Sequence, residues 1–284
     1  MIRMKHVVKK MNSKNIDQYT DLYGVLGNPV RHSLGPLMHN AAFSHKGINA
    51  VYLAFESKDV EKAIQGMRGL GIRGMSVTIP YKSSVIPLLD EVDSLAKDIG
   101  AVNTVVNKDN KLIGYNTDAA GALRALKDIV DVNGKNCVIL GAGGAARAIG
   151  YILKRHNVNL MIANRSVERG EALSRSLDSP FIKIEQLEKI NADILINTTP
   201  VGMSPDIDFC PVPENALKSG MTVMDIIYNP RITKLLHIAS KKGCQTVDGL
   251  GMFIYQGGEQ FSLWTGKEAP VDIMKNVVKK ALYG

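Results

Sequence analysis

From residue 23 onward, short apolar runs alternate with stretches of helical period. YGVLG (23–27) precedes a helix entered through Pro36, a residue tolerated in the first helical turn because its missing N–H leaves no bond unmade there. AVYLAFE (50–56) precedes the helical stretch DVEKAIQGMRGLG, and GMSVTIP (74–80) precedes a helix expected to run towards Ile99. Such alternation predicts a parallel sheet with right-handed crossovers. The pattern then breaks. AVNTVV (101–106) and KLIGYNT (111–117) flank the polar stretch NKDN and predict a β-hairpin with a four-residue loop. At Asp118 a second alternation begins: the helix DAAGALRALKDI, then CVILGAGG, NLMIANRS, ADILINTTPVG, TVMDIIYNP and QTVDGLGM with helical stretches between them. From Phe253 to Tyr283 the chain reads as helical in two pieces, split near Pro270. The expected fold class is α/β, with two α/β domains meeting near residue 118 and a ligand in the cleft between them.

The most specific segment is CVILGAGGAARAIGYILKR. The strand CVIL runs into Gly141, Gly143 and Ala146 and then a helix, the G-x-G-x-x-A order of a dinucleotide-binding turn. Gly141 permits the tight turn, Gly143 lets the backbone approach a pyrophosphate, and Ala146 lets helix and strand pack closely. Ala142, Gly144 and Ala145 complete the loop. The next strand, NLMIAN, ends about 20 residues on, where the ribose of a dinucleotide lies. Asn164, Arg165 and Ser166 stand there, with Arg169 one turn further and no carboxylate at that strand end. The bland reading makes the arginines solvated residues opening a helix. Guanidinium groups and a hydroxyl also suit a 2′-phosphate, so NADP is expected, with NAD as the alternative.

Three polar clusters interrupt apolar strand ends, where open α/β sheets bind ligands. They are SVTIPYK, with Ser76, Thr78 and Lys82; AVNT, with Asn103; and GYNTD, with Asn116 and Asp118. Singly, each has a plain structural explanation: Asp118 as a helix N-cap, Lys82 as an exposed helix opener, Asn103 as a hairpin polar residue. Beside a nicotinamide-binding turn they suggest alcohol oxidation, which needs a base for the hydroxyl proton. Either Lys82 or Asp118 can fill that role. Ser33 and Gly35, in NPVRHSLGPLMHN, precede a helix N-terminus, a place suited to an anion. His39, one turn into that helix, reads as structural.

Composition narrows the field mainly by exclusion. The net charge is +8, but Lys and Arg are scattered, and 6 Phe, 1 Trp and 9 Tyr offer no evident base-stacking surface. A small anionic ligand suits this surface as well as nucleic acid does, and no nucleic-acid partner is expected. No apolar run has the length of a membrane span. MIRMKHVVKKM reads as a frayed basic leader without a signal-peptide core. Cys137, Cys210 and Cys244 form no metal or redox spacing, so no metal and a reducing cytoplasm are expected.

The motifs GNPVRHSLGPLMHN, SVTIPYK, AVNT, GYNTD, GAGGAARA, NRSVER, NTTPVGM, DIIYNP and DGLGMFIYQGGEQF span nearly the whole chain after residue 20. In that order they resemble the shikimate/quinate dehydrogenase family. The resemblance implies an oxidoreductase of aromatic amino-acid (chorismate) biosynthesis, oxidising the 3-hydroxyl of shikimate with NADP or reducing 3-dehydroshikimate. It implies Lys82 and Asp118 as the catalytic pair, and Ser33, Gly35, Thr78, Asn103, Tyr228 and Gln256 as further substrate positions. It implies Gly141, Ala142, Gly143, Gly144 and Ala145 as the pyrophosphate loop. Asn164, Arg165, Ser166 and Arg169 would form the 2′-phosphate pocket, with Ile226, Tyr228 and Gly249 near the nicotinamide. The implied organisation is a discontinuous substrate domain (1–118 plus 254–284), closed by C-terminal helices, around a Rossmann domain (119–253), in a monomer or homodimer.

Gly35 departs from the family pattern HS-x-SP, which has a second serine there. The expectation is a lost hydroxyl donor, worth about 1.5–3 kcal/mol to a charged acceptor, and a gain of space. Quinate, with its extra hydroxyl at the carboxylate-bearing carbon, would then be accepted as well. Rival readings are a dehydrogenase with quinate as main substrate, a methylene-tetrahydrofolate dehydrogenase, and a non-catalytic metabolite sensor of the same fold. No stacking residue beside Lys82 supports the folate enzyme, and an intact Lys82/Asp118 pair argues against the sensor.

Overall fold

The computed structural model describes residues 16–283, so the basic leader expected at the start lies outside the described residues. The apolar runs become two six-stranded sheets. The first is built from β1 (Asp21–Gly27), β2 (Ala50–Glu56), β3 (Gly74–Val77), β4 (Glu91–Val92), β5 (Thr104–Lys108) and β6 (Lys111–Tyr115), in the order β2-β1-β3-β5-β6-β4. Its first three strands are parallel, joined by α1 (Gly35–His45) and α2 (Val60–Gly69). Asp59 caps α2 by accepting from the Lys62 amide at 3.0 Å. The β5 strand runs antiparallel to both β3 and β6, so this sheet is mixed.

Two expectations for this half needed correction. The hairpin loop is not the four residues NKDN: Asn107 pairs with Leu112 and Lys108 with Lys111. Only Asp109 and Asn110 turn, both at positive φ (51° and 65°), the conformation that matches strand twist in two-residue hairpins. Nor does one helix run towards Ile99. The segment breaks into a 3-10 turn at Ile86–Leu88, strand β4 and the short helix α3 (Ser94–Ile99). Pro87 cannot continue a helix, Asp90 is drawn into bonds with Leu112, and Asp93 caps α3 through the Leu95 amide.

The second sheet comprises β7 (Asn136–Leu140), β8 (Asn159–Ala163), β9 (Phe181–Ile182), β10 (Ile194–Asn197), β11 (Thr222–Asp225) and β12 (Gln245–Val247). It is parallel throughout, in the order β12-β11-β10-β7-β8-β9. This is the doubly wound dinucleotide-binding order, with its switch point between β7 and β10. Helices α4 (Asp118–Lys127), α5 (Gly144–Lys154), α6 (Val167–Ser176) and α7 (Lys234–Lys241) belong to this part of the chain. The two-residue strand β9 is too short for the apolar pattern to announce. The last helices are α8 (Gly249–Thr265) and α9 (Val271–Tyr283). α8 starts four residues before the expected Phe253, because Asp248 accepts from the Leu250 amide and caps it.

α8 is shared between two cores. Its Leu250, Ile254 and Phe261 pack with Tyr23, Met38, Phe43 and Tyr52 of the first sheet and α1. Its Met252 packs with Ala125 and Leu126 of α4 and with Ile139 and Ile149 of the second half. Trp264 donates its indole N–H to the Val105 carbonyl at 3.1 Å. No helix among the described residues is long and apolar enough to cross a membrane.

His39 of α1 is 1% exposed, stacked on Tyr52 with centroids 4.5 Å apart, and its Nδ1 is buried without a hydrogen-bond partner. Burial pushes its pKa down to about 3, only partly offset by a hydrogen bond to Gln260. The unfolded chain takes up a proton near pH 6.5 that the folded chain refuses. The stability tied to this neutral ring is therefore present above that pH and lost as the pH falls towards 3. Between pH 6.5 and pH 5, wild type should lose about 2 kcal/mol more unfolding free energy than His39→Gln, as read by urea denaturation. Parallel pH profiles for the two proteins would refute this.

Candidate functional site

The polar clusters read from the sequence meet where the carboxyl ends of β1 and β3 and the start of β5 face the glycine loop of the second sheet. Tyr81 closes a turn onto the Thr78 carbonyl at 2.9 Å, which places Lys82 just beyond β3. The Lys82 carbonyl then accepts from the Val102 amide at 2.7 Å, fixing its backbone to the strand entering β5. Asp118 is the first residue of α4 rather than its cap; Thr117 holds the cap position. The Asp118 carboxylate is therefore free to face inward. Its Oδ2 pairs with Lys82 Nζ, and its Oδ1 accepts from Asn103 Nδ2 at 2.8 Å. The Asp118 side chain is 7% exposed and that of Lys82 18%, so the lysine end is the one that faces the cleft.

Asn103 orients this pair. Its Oδ1 accepts from the Thr117 amide (2.8 Å) and from the Thr104 hydroxyl (2.8 Å). That leaves its Nδ2 to donate to Asp118, to Thr117 Oγ1 at 2.9 Å and towards Gln256 Oε1 at 3.5 Å. Asn116 plays a different part: it donates to the Ala101 carbonyl and accepts from the Ala119 amide, holding the entry to α4. Thr117 was not singled out from sequence, and Thr104 reads there only as a hairpin polar residue, yet both fix the rotamer of Asn103. Their hydroxyls, next to polar residues at strand ends, were the available signal.

The loop after β1 delivers Ser33 and Gly35 to the same cleft. Ser33 Oγ accepts from the Gly35 amide at 3.1 Å, and α1 has no side-chain cap. The Leu34 amide donates to the Tyr228 hydroxyl, only partly offsetting the burial that pushes the Tyr228 pKa up. Tyr228, stacked on Phe253 at 4.5 Å, therefore lies at the Ser33 end of the cleft. The space beside Gly35 is not open, contrary to expectation. A β-carbon there would lie 3.2 Å from Ser33 Oγ, 3.3 Å from Tyr52 Cε1 and 3.4 Å from the Tyr52 hydroxyl. Tyr52 comes from β2, a pairing the local sequence does not reveal. Thr78 packs its methyl against Gly27, where any side chain would collide with it.

The dinucleotide turn lies directly opposite. Gly141 has φ +112° and faces Thr198 so closely that only glycine fits. Gly143 occupies the N-cap of α5 without a side-chain cap, so the helix presents bare amides with Ala142, Gly144 and Ala145 around them. A β-carbon on Gly144 would lie 3.1 Å from Lys82 Cδ. The glycine loop and the candidate catalytic lysine are thus in contact. At the end of β8, Asn164 donates to the Ser166 carbonyl (2.9 Å), and Ser166 caps α6 through the Arg169 amide. Arg165 and Arg169 are exposed, and among the described residues no carboxylate lies within 4.0 Å of either guanidinium. These residues fit a phosphorylated dinucleotide: bare amides for the pyrophosphate and unpaired guanidiniums for a 2′-phosphate. Gly249, at the start of α8, presses on the Ile226 backbone and fixes its position beyond the end of β11. No cluster of three or more metal-ligating side chains occurs among the described residues.

α4 and α8 meet at Gly121, where a β-carbon would sit 2.8 Å from the Gln256 amide nitrogen and 3.0 Å from the Met252 carbonyl. This contact sets Gln256 of α8 against Asn103.

Comparison with known proteins agrees across the chain. Residues 25–105 match the model of a shikimate dehydrogenase substrate binding domain, and residues 124–208 that of shikimate/quinate 5-dehydrogenase. Residues 249–279 match a shikimate 5′-dehydrogenase C-terminal domain. The NADP(+)-dependent shikimate dehydrogenase of Pyrococcus furiosus is 48% identical over 92% of this chain and 96% of that protein. A crystal structure of a shikimate dehydrogenase in complex with NADP+ superimposes with a TM-score of 0.91 at 44% identity, covering 95% of this chain and 98% of the other. The Thermus thermophilus enzyme in complex with NADP(H) and shikimate gives 0.87 at 33% identity, covering 93% of this chain and 100% of that one.

Gly121→Ala should force two helix backbones apart. A cost of about 1–3 kcal/mol in urea unfolding is expected, because neither backbone can yield as a side chain would. A variant as stable as wild type would show that α4 and α8 can separate freely.

Proposed function

Because the chain belongs to the shikimate/quinate dehydrogenase family, we propose that it catalyses the NADP-dependent, reversible oxidation of the shikimate 3-hydroxyl, which in reverse reduces 3-dehydroshikimate. The observation that carries this reading is the Lys82–Asp118–Asn103 constellation, with Asp118 and Asn103 buried and Lys82 facing the cleft beside Gly144 of the dinucleotide turn. NADP held by the glycine turn would supply the hydride acceptor or donor for the carbinol carbon. The chain's own residues do the rest. Ser33 and the uncapped start of α1 take the substrate carboxylate, which places the ring across the cleft. Thr78, Asn103 and Gln256 border the ring hydroxyls. Lys82 Nζ exchanges the hydroxyl proton, since it is the more exposed member of the pair. Asp118 holds the ammonium form in place and is itself held by Asn103. Gly141, Ala142, Gly143, Gly144 and Ala145 take the pyrophosphate, Asn164, Arg165, Ser166 and Arg169 the 2′-phosphate, and Ile226 and Gly249 border the nicotinamide.

The same reading assigns residues 1–118 and 254–284 to the substrate side and 119–253 to the cofactor side. The packing of α9 on α1 supports it, as does the packing of Ile254 and Phe261 into the first core. Quinate is a second substrate in this reading, on the strength of Gly35. With Tyr52 and Ser33 closing the space beside it, the glycine acts chiefly by omitting a hydroxyl donor, and less by enlarging the cleft.

Initial rates for shikimate and quinate, each with NADP+ and NAD+, should be highest for shikimate with NADP+. Lys82→Ala should lower kcat by about 10²–10⁴-fold. Equal turnover by wild type and this variant would exclude the assigned proton exchange. Gly35→Ser should raise the ratio of kcat/KM for shikimate over quinate about tenfold, the effect of one charge-assisted hydrogen bond less the cost of displacing Tyr52. An unchanged ratio would remove Gly35 as a determinant of specificity.

A further inference from the structure

α8 buries a glutamine beside its core face: Gln260 is 2% exposed, next to Phe261 at 0%. A buried carboxamide is tolerated only when its polar atoms are matched, and here both ends are. Gln260 Oε1 accepts from Ser76 Oγ at 2.8 Å, and Ser76 Oγ accepts from the Tyr52 hydroxyl at 2.6 Å. Gln260 Nε2 donates to the Asn103 carbonyl at 3.2 Å and to Thr104 Oγ1 at 3.1 Å. Thr104 Oγ1 in turn donates to Asn103 Oδ1 at 2.8 Å, and Asn103 Nδ2 donates to Asp118. The result is one buried chain, Tyr52–Ser76–Gln260–Thr104–Asn103–Asp118, drawn from β2, β3, α8, β5 with the residue before it, and α4. Its members range from 0% to 8% exposed. One end is the tyrosine that closes the space beside Gly35 and Ser33; the other is the carboxylate that holds Lys82.

We propose that Gln260 is a positioning residue that couples the two ends of the cleft. Through Tyr52 and Ser76 it braces the carboxylate cradle at Ser33–Gly35, and through Thr104 and Asn103 it orients Asp118 and Lys82. The inference rests on the substrate reading above and deepens it: the carboxylate end and the reacting hydroxyl end of the cleft are held at one separation by a single side chain. A glutamine that merely satisfied local polar groups would leave the two ends independent. The coupling is also directional. Gln260 presents an acceptor to Ser76 and donors to Thr104 and Asn103, so reversing the amide would set acceptor against acceptor at the Asn103 carbonyl. Hydrogen bonds linked in this way polarise one another, which is why a change at one end can be felt at the other.

The test is a double-mutant cycle on the full chain between Tyr52 and Thr104, which this network joins through Ser76 and Gln260. Tyr52→Phe and Thr104→Val each delete one hydroxyl and keep the shape of the side chain. With saturating NADP+, Tyr52→Phe should act mainly on KM for shikimate and Thr104→Val mainly on kcat. The double variant should depart from the product of the single effects on kcat/KM by about threefold or more, the size found for residues in one network. Repeated in a Gln260→Met background, that departure should vanish. Multiplicative effects in the presence of Gln260 would overturn the proposal, and so would coupling that survives its removal. Should Gln260→Met fail to fold, the cycle in the wild-type background still decides. Absence of wild-type turnover would count against the assigned reaction instead. The same cycle, read from the rise in Tm that shikimate produces without cofactor, would then test the coupling.

Discussion

The backbones of α4 and α8 come together at Gly121, where a methyl group would sit 2.8 Å from the Gln256 nitrogen. Everything polar in the cleft is measured from that contact. Asp118 stands one turn before it on α4, and Gln256 and Gln260 lie at and beyond it on α8. Hydrogen bonds tolerate only a few tenths of an ångström in length before they weaken. Helices held farther apart would leave Asn103 reaching for Gln256 and Gln260 across a gap, and buried polar groups without partners are costly. A residue with no side chain therefore governs the geometry of side chains on two helices.

The two halves of the fold were unequally legible. The second sheet reads clearly because fully buried parallel strands are continuous apolar runs, and the glycines that follow β7 mark the one turn where backbone must approach a ligand. The first half hides its irregular segment. Residues 86–99 carry enough apolar positions to imitate a helix, but Pro87 and the bonds between Asp90 and Leu112 divert the chain, and the latter partner is remote in sequence. The hairpin was legible as a hairpin. Its loop length was not, because Asn107 and Lys108 are polar residues that nonetheless stay in the ladder.

The site shows the same division. Lys82, Asn103 and Asp118 stand out in sequence because they are polar groups at the ends of apolar strands, and the structure brings them into one cluster. Gln260 and Tyr52 do not, because nothing in the chain beside them shows the partners they meet in the fold. The role of a buried polar side chain is decided by partners from other strands and helices. The surroundings of Gly35 were misread for that reason: Tyr52 reaches it from β2, which the loop itself cannot announce. The surface charges follow simpler rules. Ion pairs such as Arg73–Asp21 and Lys111–Glu91 are solvent-exposed and contribute little to folding, whereas Arg165 and Arg169 have no acidic partner within reach among the described residues and keep their charge available to a ligand.

α8 places Leu250, Ile254 and Phe261 in one hydrophobic core and Met252 in the other. A helix common to two cores cannot leave one without abandoning the other. The molecule is therefore expected to melt as a single cooperative unit, although it is built from two sheets. A dinucleotide bound to the glycine turn should then raise the melting temperature of the substrate half as well as its own. A fragment ending between the sheets would lack the Leu250, Ile254, Phe261, Met274 and Val278 side chains that complete the first core. The architecture looks modular in outline, yet one helix belongs to both of its halves.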